Sequence, residues 1–341
     1  MKIIRRNICR YRGSFLKTRY LLRKVGQALL TYLIINMLVF ILPRIMPGNY
    51  VDYIASTRYL PQEAVRELYA KFGLDEPLYV QFIKFVMNVM ITTSPDFGYS
   101  YYFYPLRAID VVFIYLPWTI LLLSVATITT FLLGVFLGLI ASYYKETVID
   151  RIITGFAIFT MSTPYFVVSL LILLIFAVYL KILPAGGAYT PTLQPGSISF
   201  ILDVMKHMIL PIIAISIGTS GIFIIMTREI IISNMLESFF TTAYAIGIGK
   251  VKILIEYALK PGILPLITLV GIRFGTMLSG ALLTEIIFSY PGLGYILYQA
   301  ILSKDFPVLQ SLFYIMSIMI IIVSLILDVI YTFLDPRIRR G

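Results

Sequence analysis

Between Asp110 and Lys145 the chain runs for 34 residues without a charged side chain. An α-helix needs only about 20 apolar residues to cross the hydrocarbon core of a bilayer, so this run is long enough for a span with residues to spare. Other apolar stretches occupy 25–43, 152–180, 207–227, 263–288 and 308–334, the last two carrying isolated charges. Hydrophobic residues are 59% of the chain and charged ones 13%, with a mean hydropathy of +0.91. Soluble domains are roughly 45–50% apolar and about 25% charged. The pattern predicts an all-α polytopic membrane protein with six transmembrane helices: span 1 over 25–46, span 2 over 117–143, span 3 within 152–180, span 4 over 207–227, span 5 over 263–288 and span 6 over 308–334.

The distribution of positive charge orients the bundle. Residues 1–24 hold nine Lys/Arg and no acid. With this basic tail in the cytoplasm, six crossings return the basic end 336–341 to the same side, and segments 1–24, 144–152, 227–262 and 334–341 hold 18 of the 28 basic residues. The net charge of +11 is therefore a topology signal and not a nucleic-acid footprint. Residues 47–113 become a small helical external subdomain capping the bundle, with helices expected from Pro61 to Gly73 and from Tyr79 to Met90 and a turn at 96–100. The core is 114–335. One cysteine, Cys9, excludes an intrachain disulfide, and one histidine, His207, read as a helix-start residue, argues against a zinc or haem site.

Inside the spans, Gly134, Gly138 and Ser142 recur every fourth residue, as do Gly271, Gly275 and Ser279. Such small-residue seams let a neighbouring helix approach closely. Ser162-Thr163-Pro164 predicts a kink in span 3 whose freed carbonyls need hydroxyl or neighbour donors. Arg273 near the middle of span 5 is costly in hydrocarbon, so it faces either a watery pathway or a partner group that neutralises it. Glu285, 12 residues on, lies about 18 Å further along the helix and cannot pair with it there. Ser162, Pro164 and Arg273 are the candidates for a translocation pathway.

Residues 237–262 interrupt the apolar pattern on the cytoplasmic side. They read as a short helix, a break at Gly247-Ile248-Gly249, a second short helix and a stop at Pro261-Gly262. Ala243 and Gly247, four apart, share a face beside Phe239 and Phe240, a small patch edged by aromatics that suits a socket. On the second helix Ile253, Leu254, Tyr257 and Ala258 make an apolar stripe and Lys250, Lys252 and Glu256 a wet face. An amphipathic loop resting on lipid headgroups fits the same periodicity.

A resemblance bears on that choice. The segment is similar to the conserved cytoplasmic loop of ABC-importer permeases, in which an alanine, three residues and a glycine dock on an ATPase; here these are Ala243 and Gly247, followed by Tyr257-Ala258-Leu259. From about Lys24 to Arg339 the chain resembles the B-type membrane subunit of dipeptide/oligopeptide ABC importers. The marks are Pro47-Gly48, Gly73-Leu74-Asp75 with Pro77 and Gln81, Asp96-Phe97-Gly98-Tyr99-Ser100, Leu116-Pro117, Pro164, 183–187, His207 to Pro211, Ala243 to Pro265, Glu285 to Gly294, Asp305-Phe306-Pro307 and 334–339. The chain departs from the pattern at Thr241-Thr242, where the wider family prefers Glu-Ala, at Tyr244 and Ile246, where close relatives carry basic residues, and at Pro261-Gly262.

The resemblance implies a type I importer permease fold and a role in moving short peptides, or oligosaccharides or nickel, by ATP-driven alternating access. It implies as partners a second homologous permease, two ATPase subunits and an external solute-binding protein. It assigns ATPase coupling to Thr241, Thr242, Ala243, Tyr244, Gly247, Tyr257, Ala258 and Leu259. No cofactor is expected on this chain: Tyr244 and Val251 stand where a phosphate-binding GxxxxGK[ST] loop needs Gly and Ser/Thr, so ATP and Mg belong to partners. The competing reading is a stand-alone secondary transporter or channel, but no internal repeat or intramembrane acid relay supports it. A membrane-anchored enzyme lacks any nucleophile–base or metal constellation.

Overall fold

The structure is a computed structural model that describes residues 26, 30–41, 45, 50–71, 73–91, 95–280 and 282–334. The basic tail 1–24, the Pro47-Gly48-Asn49 stretch and the basic end 336–341 lie outside the described residues. Regular structure among the described residues is helical: α1 (Leu30–Ile41), α2 (Tyr50–Arg58), α3 (Gln62–Lys71), α4 (Leu78–Phe85, continued by a π-helical turn Val86–Ile91), α5 (Ala108–Tyr143), α6 (Val148–Ser162), α7 (Tyr165–Ile172, continued by a π turn Leu173–Tyr179) and α8 (Ile198–Asn234). There follow α9 (Ser238–Ala245), α10 (Lys250–Lys252), α11 (Ile263–Gly280), α12 (Leu282–Ile287), α13 (Leu293–Leu302) and α14 (Phe306–Leu334). Four helical stretches among the described residues are long and apolar enough to cross a membrane, Ala108–Tyr143, Ile198–Asn234, Lys250–Arg273 and Phe306–Ile326, and the bent pair α6 and α7 adds a fifth. Helix α1 lies within span 1.

Several boundaries differ from the sequence reading. Helix α5 begins at Ala108 and carries Pro117 inside it, because Arg107 pairs with Asp110 at 2.7 Å and an acid in the first turn favours the helix start. Helix α8 begins at Ile198, nine residues before His207, since Ser197 accepts the Phe200 N–H as an N-cap; His207 sits within the helix with Nδ1 2.9 Å from the Asp203 carbonyl. At 36 and 37 residues these helices are about 55 Å long, well beyond the hydrocarbon core.

The predicted kink in span 3 is a break: α6 and α7 diverge by 101° across an extended Thr163 and Pro164. Proline removes an N–H and disfavours helix at the residue before it. Ser162 and Thr163 answer with their hydroxyls, donating to the Ile158 and Phe159 carbonyls at 2.9 Å. The connection 289–307 between the predicted spans 5 and 6 contains an unforeseen helix, α13, which buries Ile296, Leu297 and Ala300 on one face.

Packing divides the chain into two units. One comprises the described residues up to Leu116 with Ile296–Ile326. Phe40, Phe85, Phe97 and Tyr314 form a ladder of rings 5.3–6.3 Å apart, joining α1, α4, the 95–107 loop and α14. The buried Asp305 carboxylate closes that loop, accepting from the Ser100 hydroxyl and the Tyr102 and Val308 N–H groups; burial pushes its carboxyl above the usual range.

The other unit comprises Pro117–Tyr295 with Leu327–Leu334. Here the first small-residue seam does what its spacing predicts: a Cβ on Gly134 would lie 2.3 Å from the Phe223 Cβ, and one on Gly138 2.6 Å from the Thr227 Cβ, so α5 and α8 touch nearly backbone to backbone. Of the second seam, the surroundings of Gly275 and Ser279 lie outside the described side chains. Asp150 of α6 grips Arg228 of α8 bidentately at 2.6 and 2.8 Å. Glu285, 1% exposed, accepts from the Thr119 hydroxyl and the Gly294 N–H, and Gly292 and Gly294 leave room for its carboxylate.

Candidate functional site

The elbow starts where α8 ends. Helix α9 runs from Ser238 to Ala245 and stops because Gly247 turns left-handed, with φ +81°. The Ile248 N–H reaches back to the Ala243 carbonyl, the long hydrogen bond of a Schellman stop, and Ile248 packs onto the same apolar cluster as Ala243. The predicted break is therefore present with the predicted backbone.

The predicted stop at Pro261-Gly262 is not a stop. Helical backbone continues from Lys250 to Gly280, changing from α to π over Ile253–Leu259, to 3₁₀ over Lys260–Gly262, and back to α. A wider π turn just before a proline eases the clash of its ring with the preceding carbonyls. Gly262 serves a close crossing: a Cβ there would lie 2.2 Å from Ile230 Cγ2 and 3.1 Å from Asn234 Nδ2. Asn234 in turn donates to the Ala258 carbonyl at 2.7 Å, and Lys250 donates to the Tyr143 carbonyl at 2.6 Å with its ammonium 4.3 Å from the Tyr143 ring centre. The cation thus sits on the C-terminal, electronegative end of α5.

These bonds clamp the elbow on a single apolar cluster of Ile231, Phe240, Ala243, Ile253, Leu254, Ala258, Leu259 and Leu266. The eight coupling candidates separate accordingly. Ala243, at 5% exposure, and Ala258 and Leu259 are buried inside the chain's own cluster, with Tyr257 packed at its edge. Thr242 and Gly247 are exposed, together with Ala245, Ile246 at 71% and Val251. Thr241 and Tyr244 lie on α9, but their side chains are outside those described. Among its described side chains, the patch that suited a socket therefore points inward at Phe240 and Ala243 and outward at Gly247. Thr242 and Ile246 stand out with it as the crest, and no apolar periodicity singles out Ile246.

The three pathway candidates come together. Ser162, Pro164 and Arg273 line one cavity of about 320 Å³, shared with Thr160, Thr163 and Thr219. This volume is at the small end of ordinary ligand sites. The break supplies the concavity, since α7 leaves at a steep angle just where α8 offers Gly218, whose Cβ would lie 2.5 Å from that of Tyr165. Hydroxyls of Thr160, Ser162, Thr163 and Thr219 all donate to carbonyls of their own helices, leaving oxygen lone pairs as acceptors around the guanidinium. Thr160, Thr163 and Thr219 were missed by the sequence reading; the hydroxyl-rich stretch 160–163 ahead of Pro164 was the available signal.

Residues 134–340 match the family described as binding-protein-dependent transport system inner membrane component, and residues 17–122 match the N-terminal segment of such membrane components. The chain is 29% identical over 342 residues to the dipeptide transport system permease protein DppB of Escherichia coli (strain K12), covering 94% of this chain and 99% of that one. It is 29% identical over 344 residues to the di/tripeptide transport system permease protein DppB of Pseudomonas aeruginosa (strain UCBPP-PA14), covering 94% and 98%. Among solved structures, a chain of the inward-facing MetNI methionine ABC transporter superposes with a TM-score of 0.53 at 13% identity, over 66% of this chain and 97% of that one, a likeness of fold.

Proposed function

Since this chain belongs to the family of binding-protein-dependent transport system inner membrane components, and is thus a multi-pass permease subunit of an ABC importer, we propose that it carries short peptides and is worked from the cytosol through its elbow. The names of its relatives, dipeptide and di/tripeptide permeases, support the cargo. In this reading a second homologous permease completes the pathway. Two ATPase subunits bind ATP and Mg and grip the elbows, and a solute-binding protein delivers cargo to the external subdomain 47–113. Residues 1–24, 237–262 and 336–341 face the cytosol, in keeping with the excess of Lys/Arg there.

The single observation that carries the mechanism is that the elbow and the Arg273 cavity hang on the same two helices. The cluster under the elbow includes Ile231 of α8 and Leu266 of α11; the cavity is lined by Ile222 of α8 and Arg273 of α11. Those positions are about 13 Å and about 10 Å apart along their helices. A close-packed cluster transmits displacement with little compression, so a force on Thr242, Ile246 and Gly247 moves α8 and α11 together and reshapes the cavity. Ala243, Ala258 and Leu259 act in this scheme through packing, by keeping the elbow rigid. Arg273 offers a cationic point for a peptide carboxylate, and Ser162 and Pro164 form the opposing wall.

Replacing Ile246 by Glu tests the coupling contact, because the side chain is exposed and its change leaves the cluster intact. A charge driven into an apolar interface without a partner costs enough to weaken docking at least about tenfold. The variant is expected to reach the membrane at wild-type level, to co-purify poorly with the ATPases and to lose ATP-driven uptake of a labelled dipeptide. Normal uptake by the variant, or uptake by the isolated chain in liposomes without ATPases, would overturn the reading, the latter in favour of a stand-alone transporter.

A further inference from the structure

Two orphaned polar groups of opposite hydrogen-bonding character share a second cavity. It lies in the first unit, has a volume of about 230 Å³, and is lined among others by Glu76, Lys84, Asn88, Asp96 and Gln310. Gln310, in the first turns of α14, is only 7% exposed, and its Nε2 donates to nothing in the protein. Glu76 engages Lys84 through Oε1, while its buried Oε2 accepts nothing. Buried polar atoms are nearly always hydrogen-bonded, and one without a partner marks a place where something else supplies it. Two stretches that carried the family resemblance, Gly73 to Gln81 and Asp96 to Gly98, converge on this cavity, and no residue of either has been given a role of its own in the mechanism above.

The missing partner must offer a donor to Glu76 and an acceptor to Gln310. Charge narrows it further, because the carboxylates of Glu76 and Asp96 face the single ammonium of Lys84, leaving one negative charge in excess. A cation carrying a neighbouring carbonyl meets all three conditions, and the amino terminus of a peptide is such a group. We propose that this cavity is a second peptide site, which holds the α-ammonium of a short peptide on Glu76 Oε2 and its first carbonyl on Gln310 Nε2. The choice of a peptide rests on the import reading; the binding itself does not require transport.

The test uses the full-length chain in lipid nanodiscs, with dialanine and N-acetyl-dialanine as probes in saturation-transfer NMR and titration calorimetry. Dialanine is expected to bind saturably, about tenfold more tightly than its acetylated form, which lacks the ammonium. Binding should weaken about tenfold in Gln310→Leu and in Glu76→Gln, with melting temperatures confirming that each variant is folded. Equal binding of the two probes, wild-type affinity in both cavity variants, or absence of saturable binding would each overturn the proposal. The probe comparison needs no variant and so stands if one misfolds. Should dialanine fail to bind while the complete transporter imports it, the cavity assignment falls and the import reading survives.

Discussion

Gly262 offers the sharpest test of the elbow as a rigid lever. In Gly262→Ala the new methyl carbon would stand 2.2 Å from Ile230 Cγ2. Non-bonded carbons sit about 3.5–4.0 Å apart, so either Ile230 is displaced or the returning helix lifts off α8 by roughly 1.5 Å. Overpacking of this kind costs about 1–3 kcal/mol. Alanine also returns up to about 1 kcal/mol of helix propensity at a helical position. The net loss of stability is then modest, about 0–2 kcal/mol, and alone decides little. The informative quantity is the coupling with Ile230→Ala, which removes the offending Cγ2 and leaves Asn234 Nδ2, at 3.1 Å, as the nearest atom and the Ile230 Cβ at 3.6 Å. We expect Gly262→Ala to lose most ATP-driven uptake while the ATPases still hydrolyse, and Gly262→Ala/Ile230→Ala to recover it. The double-mutant cycle on thermal stability should give an interaction of about 1–2 kcal/mol in the rescuing direction. Additive effects in both readouts would show that the crossing of α8 by the elbow does not carry the motion.

Two further outcomes follow from the same geometry. At Gly247 a Cβ meets nothing within 4 Å, so within the chain substitution acts through the left-handed backbone alone; Gly247→Asn should retain most uptake and Gly247→Val, strained by about 1–2 kcal/mol or more, should lose it, and equal loss in two folded, membrane-inserted variants would locate the fault in a partner's contact with the crest. Arg273→Gln keeps a polar group in the 320 Å³ cavity but removes its cation, and should abolish dipeptide uptake in the complete transporter while leaving thermal stability and association with the ATPases unchanged; uptake within a factor of two of wild type would remove Arg273 from the pathway.

Much of the architecture was legible because lipid is a severe solvent. The uncharged runs marked the spans, the seam at Gly134 and Gly138 marked a close helix crossing, and Gly247 marked a left-handed stop, each a local requirement of backbone or sterics. What the residues could not disclose by themselves is which way an apolar side chain points. Within the spans the lipid and the protein interior are both apolar, so periodicity loses the contrast that separates face from core in water, and in the elbow α9, at 8 residues, is too short for periodicity to fix a face. Ala243 turned inward while Ile246 turned out, α13 formed where a loop was expected, and the kink at Pro164 opened to 101°. Serine, threonine and arginine placed far apart along the chain gathered in one cavity only because Gly218 and Gly221 let α7 and α6 lie against α8. Composition and spacing determined that this chain would cross a membrane and expose one polar knuckle; close packing at a few glycines decided which side chains the knuckle shows and what it moves.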